Sequence, residues 1–489
     1  MSAFDISTPK ARYGEAHVSS QSLQSLSSHN SDLDFGCFTD GESLASSKAP
    51  TPTLEAGAAK SHQYDVDLHG LFNDFTIHNL GEYGSAADFY AAQIQQGLSA
   101  SFLVTNLAPI VGQYQQWAQE LPMVQPFYAV KCMPDPVALR LLACLGCGFD
   151  CATQGEMQMA LEVLGGQTER VVFSHPAKMV AHASFALANG VTTTVFDGED
   201  ELYKLASLPG HEHFQLLLRL TTDDEHSICR FSNKFGAPVG EAPRLLAIAQ
   251  SLGLTVAGVS FHVGSGCGDG NAYITALQHA LLVFDAAVQL QMPPLHVVDI
   301  GGGFPGDCGG YGGPGMPSFQ ELAAHIREGI SIFHEGLGQV GRPIESVRFI
   351  AEPGRYFVSA STSVVTRVIS RKGGGNPYQA LYCDDGVYGS FNNIIYDHAT
   401  PIPQTLKALT CPAPKKGQQA GELGPLIPSA VFGPTCDGLD QMCTLENTLL
   451  PRCETGDWLV WDNMGAYTHT ASFVFNGYTH VPNRLYCMD

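Results

Sequence analysis

From residue 127 onward the sequence alternates between two textures at a steady pace. Short continuous apolar runs, rich in Val, Ile and Phe, fall at 127–130, 148–152, 171–175, 193–197, 215–220, 256–263, 296–300 and 347–352. Between them lie segments with helical periodicity, as at 136–145, 155–164, 178–189 and 242–252. A strand that is apolar along its whole length has to be covered on both faces, and a parallel sheet flanked by helices does this. Eight such βα units predict an α/β chain with a closed, TIM-like (β/α)8 barrel rather than an open sheet.

The pattern changes after residue 360. Candidate strands at 363–369, 378–383, 430–432, 457–461 and 473–475 are joined by turns with little helix, which predicts an all-β domain. The stretch 401–428, rich in Pro, Gly, Lys and Gln, reads as a surface loop. Residues 1–60 are Ser-rich and mix acids with few bases, which reads as a disordered extension rather than a transit peptide. The expected organisation is therefore an extension at 1–60 and a segment at 61–105 that joins the β domain. The barrel follows at 106–360 and the β-sheet domain at 361–489.

Composition narrows the function classes. Lys+Arg 25 against Asp+Glu 47 gives a net charge of −22, which repels nucleic acid and anionic membrane surfaces. No apolar run is long enough to span a bilayer, and no secretory signal opens the chain. Fourteen cysteines without such a signal imply reduced thiols and a cytoplasmic setting. Cys144, Cys147 and Cys151 cluster, but no second pair at matching spacing accompanies them, so no metal site is expected.

A barrel of this kind carries its chemistry at the C-terminal ends of its strands. Those positions read Lys131, Asp150, His175, Asp197, Arg219, His262, Asp299 and Glu352, with Gly264-Ser265-Gly266, Gly301-Gly302-Gly303 and Pro353-Gly354-Arg355 beside them. Lys131 at the end of a buried strand would be desolvated, which lowers its pKa and readies it for a Schiff base; a snorkelling lysine is the other reading. The glycine runs suit a phosphate held by backbone N–H groups, with Arg355 supplying charge. Gly301 to Gly306 also fits G-x-G-x-x-G, but Pro305 opposes the helix that a dinucleotide site needs. Glu352 suits a pyridine nitrogen, while Asp150 taken by itself reads first as a structural salt-bridge partner. Lysine, phosphate cradle and acid together specify pyridoxal 5′-phosphate.

The motifs Pro126-Phe-Tyr-Ala-Val-Lys131-Cys, Phe149-Asp-Cys-Ala, Ser260-Phe-His-Val-Gly-Ser-Gly-Cys267, Asp299-Ile-Gly-Gly-Gly-Phe-Pro-Gly306 and Ala351-Glu-Pro-Gly-Arg-Tyr356 resemble fold type III pyridoxal-phosphate decarboxylases. Asp385-Gly-Val-Tyr-Gly-Ser-Phe-Asn392, Tyr396-Asp-His398, Gly433-Pro-Thr-Cys-Asp-Gly-Leu-Asp440 and Asn463-Met-Gly-Ala-Tyr467 narrow the likeness to the eukaryotic ornithine decarboxylase family. The resemblance runs from about residue 100 to the C-terminus. It implies decarboxylation of L-ornithine to putrescine and CO2, the first step of polyamine biosynthesis, in a head-to-tail homodimer with shared active sites. Lys131 would carry the cofactor, His262 would stack on its ring, and Glu352 would pair with the ring nitrogen. Asp150 would lie close by and Arg219 near the ring oxygen. Ser265, Gly303, Pro353, Gly354, Arg355 and Tyr467 would complete the cofactor site. Tyr396, Asp397 and the Asp437 of a second subunit would face the substrate's distal amine, and Cys436 of that subunit would donate a proton.

Departures from the family pattern are few. Ser174-His175-Pro176-Ala177-Lys178 replaces the usual Asn-Pro-Cys-Lys, with an expected effect on helix-start packing alone. Residues 307–317 and 401–428 read as insertions, and the long degradation tail of animal members is expected to be missing. Related decarboxylases of lysine, arginine or diaminopimelate, and a non-catalytic antizyme-inhibitor-like relative, are the alternatives; antizyme binding is left open.

Overall fold

The computed structural model describes residues 71–488 apart from 73, 307–314, 340–345, 374–376, 412–423 and 479–481. The 1–60 extension, residues 307–314 of the first insertion and 412–423 of the second lie outside the described residues. Eight strands form the closed barrel: Val124–Ala129, Gly148–Cys151, Val171–Phe173, Thr193–Phe196, Gln215–Leu220, Thr255–Phe261, Val297–Asp299 and Arg348–Ala351. Each pairs in parallel with the next, and the eighth closes on the first with Ile350 opposite Gln125. The α/β barrel read from the sequence is thus the observed one.

Local chemistry explains the connecting helices. Pro136–Leu145 starts where Asp135 Oδ1 accepts from the N–H groups of Val137 and Ala138 at 3.1 and 2.9 Å, with Pro136 in the first helical position. It stops at Gly146, whose φ of 109° a side chain would strain. The barrel lumen is filled by Phe127, Val172, Val195, Leu217, Ala257, Val297 and Ile350, drawn from seven different strands. Closure leaves no room at Gly258, where a Cβ would stand 1.9 Å from the Val297 carbonyl oxygen. Gly258→Ala is therefore expected to cost about 1–3 kcal/mol, seen as a lower Tm at unchanged secondary structure; a parental Tm would contradict this packing.

A ten-stranded sheet stands beside the barrel. Its central strand, Thr362–Lys372, pairs antiparallel with Phe102–Asn106, Gln379–Cys383 and Trp458–Trp461. Ile77–Asn79 and Asn483–Met488 extend it past Phe102–Asn106 in parallel register. Chain segments before and after the barrel therefore share one sheet.

Two expectations for this region fail. Residues 473–475 are not a strand: Phe473 and Val474 are exposed, and Phe473 and Phe475 instead lay their rings against Tyr388. Aromatic composition favours a strand, but no neighbour offers a ladder to it. The 401–428 stretch is not all loop. Thr405 caps a short helix, Leu406–Thr410, by accepting from the Ala408 N–H at 3.3 Å, and Leu406 is buried against helix Ala86–Gln95 and the sheet. Among the described residues no helix is long and apolar enough to cross a membrane.

Candidate active site

The C-terminal ends of the barrel strands open into a cavity of about 370 Å³ at the border with the β sheet. Lys131, His262, Ser265, Gly303, Glu352, Gly354, Arg355, Tyr396, Asp397 and Tyr467 line it. These residues come from the first, sixth, seventh and eighth βα loops and from two loops of the sheet domain.

Lys131 opens into this space with 45% of its side chain exposed, and its ammonium is ion-paired to Asp150, itself buried at the end of the second strand. Burial pulls the ammonium down, but the Asp150 carboxylate, then Tyr467 and Glu352, raise it above the ordinary lysine value. The lowered pKa expected from strand-end desolvation is therefore wrong, because the neighbouring strand supplies a counter-charge. Asp150 Oδ1 has no hydrogen-bond partner among the described residues.

His262 is buried around its ring nitrogens. Burial, with the Arg219 and Lys131 cations nearby, pushes its imidazole well below the ordinary value, so the ring is neutral. The Gly264 N–H donates to Nδ1 at 3.1 Å, which leaves the proton on Nε2. Gly302 has to be glycine for this packing: a Cβ there would lie 2.7 Å from His262 Nε2. Gly303 sits at φ 109°, where a Cβ would meet the Gly264 carbonyl oxygen at 2.7 Å.

Arg355 opens the short helix that follows the eighth strand, and only 6% of it is exposed. Its guanidinium pairs with the buried Asp397, reaches Ser265 Oγ at 3.5 Å and lies 5.1 Å over the Tyr467 ring. Tyr467 holds a left-handed backbone at φ 53°, a conformation that costs a side-chain-bearing residue energy and is concentrated at functional sites. Cys229 Sγ donates to Asp397 Oδ1 at 3.7 Å.

Other predicted residues stand elsewhere. Arg219 is buried, 5.3 Å over the Phe235 ring and outside the cavity lining; it acts on the site through its charge on His262. Pro353 does not line the cavity either; its carbonyl accepts from the Ala129 N–H at 3.1 Å and so ties the eighth strand end to the first. Cys436 is exposed, Asp437 is half-buried, and both lie outside the cavity. The Tyr388 hydroxyl donates to Asp437, and this bond holds the Asp437 carboxyl below its ordinary value.

Some residues escaped the sequence reading. Cys229, at the end of a short strand, Ser227–Cys229, that pairs antiparallel with Ser265–Cys267, and Phe231 just beyond it line the cavity. Three residues carry too little periodicity to reveal such a strand. Ser174 does more than pack a helix start: its hydroxyl donates to Glu352 Oε1. The rest of that departure is structural, with buried Lys178 donating to the Val195 carbonyl at 2.6 Å and pairing with Glu201.

The donor set fits pyridoxal phosphate. A buried guanidinium, a serine hydroxyl and glycine backbone suit a phosphate. A neutral imidazole suits the ring face, and Glu352 its nitrogen. The volume lies at the small end of the range for ligand pockets.

Residues 107–359 match the family described as pyridoxal-dependent decarboxylase, pyridoxal binding domain. The chain is 37% identical to the ornithine decarboxylase of Mus musculus over 434 residues, 85% of this chain and 88% of the relative. It is 39% identical to antizyme inhibitor 2 of Xenopus laevis over 393 residues, 78% of this chain and 80% of that one. The fold superposes with a TM-score of 0.70 on the lysine/ornithine decarboxylase of Vibrio vulnificus solved with cadaverine, at 31% identity, covering 83% of this chain and 97% of the other. Pyridoxal phosphate is accordingly the cofactor for which these strand ends are built. The chain belongs to the pyridoxal-dependent decarboxylase family, in the group that contains the eukaryotic ornithine decarboxylases.

Proposed function

We propose that this chain is a cytoplasmic, homodimeric decarboxylase that releases CO2 from L-ornithine and yields putrescine, the first step of polyamine biosynthesis. One observation carries the reading: a buried carboxylate, Asp397, shares a single cavity with Lys131, Glu352 and Arg355. Arg355 is its partner here; with that guanidinium turned to the cofactor phosphate, a desolvated acid in such a place selects a substrate with a second amine.

Lys131 is the attachment point for the cofactor. Arg355, Ser265, Gly303, Gly354 and Tyr467 hold its phosphate, His262 covers one ring face without adding charge, and Glu352 keeps a proton on the ring nitrogen. Asp150 stays beside Lys131, Arg219 keeps His262 neutral, and Pro353 fixes the turn that aims Glu352 and Arg355. Pyridoxal phosphate, when bound, supplies an electron sink for the pair left behind as the carboxylate departs. Tyr396 and Asp397 receive the distal ammonium on one side.

Asp437 of the partner subunit receives it on the other, and Cys436 of the partner subunit delivers the proton to Cα. The exposure of Cys436, and the place of both residues outside the cavity of the subunit described, support that arrangement. So do the exposed Leu439 and Val474 and the ring cluster of Tyr388, Phe473 and Phe475 on the same loops.

The names of the relatives include inhibitor and lysine-acting proteins, so substrate choice is the decisive measurement. In an assay of CO2 release across ornithine, lysine, arginine and diaminopimelate, ornithine is expected to show a kcat/KM at least about tenfold above lysine, the worth of one methylene. Equal values for the two would overturn the specificity, and no release from any of the four would overturn the activity.

A further inference from the structure

Three carboxylates lie close together beneath the cavity, of which Glu352 lines it; Asp299 and Glu352 share a hydrogen bond, and each of the three also has a partner outside the group. Asp150 pairs with Lys131. Asp299 accepts from Ser260 Oγ and from the Gly301 N–H, both at 2.9 Å. Glu352 accepts from the Ser174 hydroxyl through Oε1. All three acids are buried, at 1%, 0% and 6% exposure. The ammonium here is paired with Asp150, so the acid that faces the cofactor ring feels it only as a neighbouring charge and takes its hydrogen bond from a neutral O–H donor.

Ser174 is well placed for that. It follows the third barrel strand directly, and its N–H donates to the Cys151 carbonyl at 2.9 Å, which anchors it to the ladder. The third strand end thereby reaches across the barrel mouth to the residue after the eighth.

We propose that Ser174 is a positioning residue for the cofactor: its hydroxyl holds Glu352 in the rotamer that faces the cavity and favours the charged carboxylate that a protonated ring nitrogen needs. Burial, then Asp150 and Asp299, push the Glu352 carboxyl well above its ordinary value, and Lys131 and Ser174 oppose them. Without the hydroxyl, Glu352 takes up a proton more readily and is held only by the side-chain hydrogen bond it already shares with Asp299. This inference rests on the assignment of Glu352 to the ring nitrogen.

The test uses holoenzyme of variants at Ser174 and Glu352. Ser174→Ala is expected to lose its visible cofactor absorbance about tenfold faster on dilution into cofactor-free buffer. It should also show kcat lowered about tenfold, with the KM for substrate within about twofold of the parent. Ser174→Thr keeps a hydroxyl and should restore both. Should the alanine variant fail to fold, Ser174→Gly removes the same group. Parental cofactor retention and kcat in Ser174→Ala would overturn the inference, as would equal damage from Ser174→Thr, which would make the position purely steric. Glu352→Gln separates this failure from the failure of the underlying assignment. If that variant keeps parental retention and kcat, Glu352 is not the ring partner; if it is impaired while Ser174→Ala is not, the role of Ser174 alone falls.

Discussion

Replacing Lys131 with arginine is expected to leave a folded protein that turns over at least about a thousandfold more slowly and lacks the visible absorbance of lysine-bound cofactor. The choice of arginine matters. Lys131 neutralises Asp150, which is almost wholly buried, and alanine would strand that charge. Arginine keeps the cation beside Asp150 but has no nucleophilic amine at any accessible pH. A parental Tm with lost chemistry thus separates attachment from charge balance. Turnover above about one per cent of the parent would remove Lys131 as the attachment point.

The second large effect concerns Cys436. Cys436→Ala should keep its cofactor absorbance yet decarboxylate about a hundredfold or more slowly, the usual weight of one proton donor. Cys436 lies outside the cavity of its own subunit, whereas Lys131 lines it. Mixing the Lys131→Arg and Cys436→Ala proteins should therefore bring activity back. Random exchange makes half of the dimers mixed, and each mixed dimer owns one intact site of two, so recovery approaches about a quarter of the parental rate. No recovery after demonstrated subunit exchange would place both residues in one subunit's site and refute the shared arrangement.

Much of this architecture was legible before any coordinates. All eight barrel strands coincide with apolar runs, and the helix at 136–145 matches residue for residue, because caps and periodicity are local signals. The first strand is the instructive miss. It begins at Val124, three residues ahead of its apolar run, because Gln125 is polar and Pro126 lacks an N–H, and both read as interruptions. Barrel closure supplies the pairing anyway, with Pro126 opposite Ala351. The 473–475 stretch erred the other way: strand-like residues found no strand to join.

What the sequence determined by itself was the inventory of the site. In a βα repeat each strand end is followed at once by its loop, so Lys131, Asp150, His262, Glu352 and Arg355 announce themselves by position along the chain. What the tertiary structure alone decided was the pairing within that inventory. Asp150 went to Lys131 and reversed the direction of its titration, Asp397 went to Arg355 across 42 residues, and Ser174 went to Glu352 across 178. It also left Cys436 and Asp437 outside the cavity. Side-chain partners depend on how strand ends converge when the barrel closes and the sheet docks beside it. That convergence is a long-range geometric fact, on which hydrophobic periodicity and turn chemistry are silent.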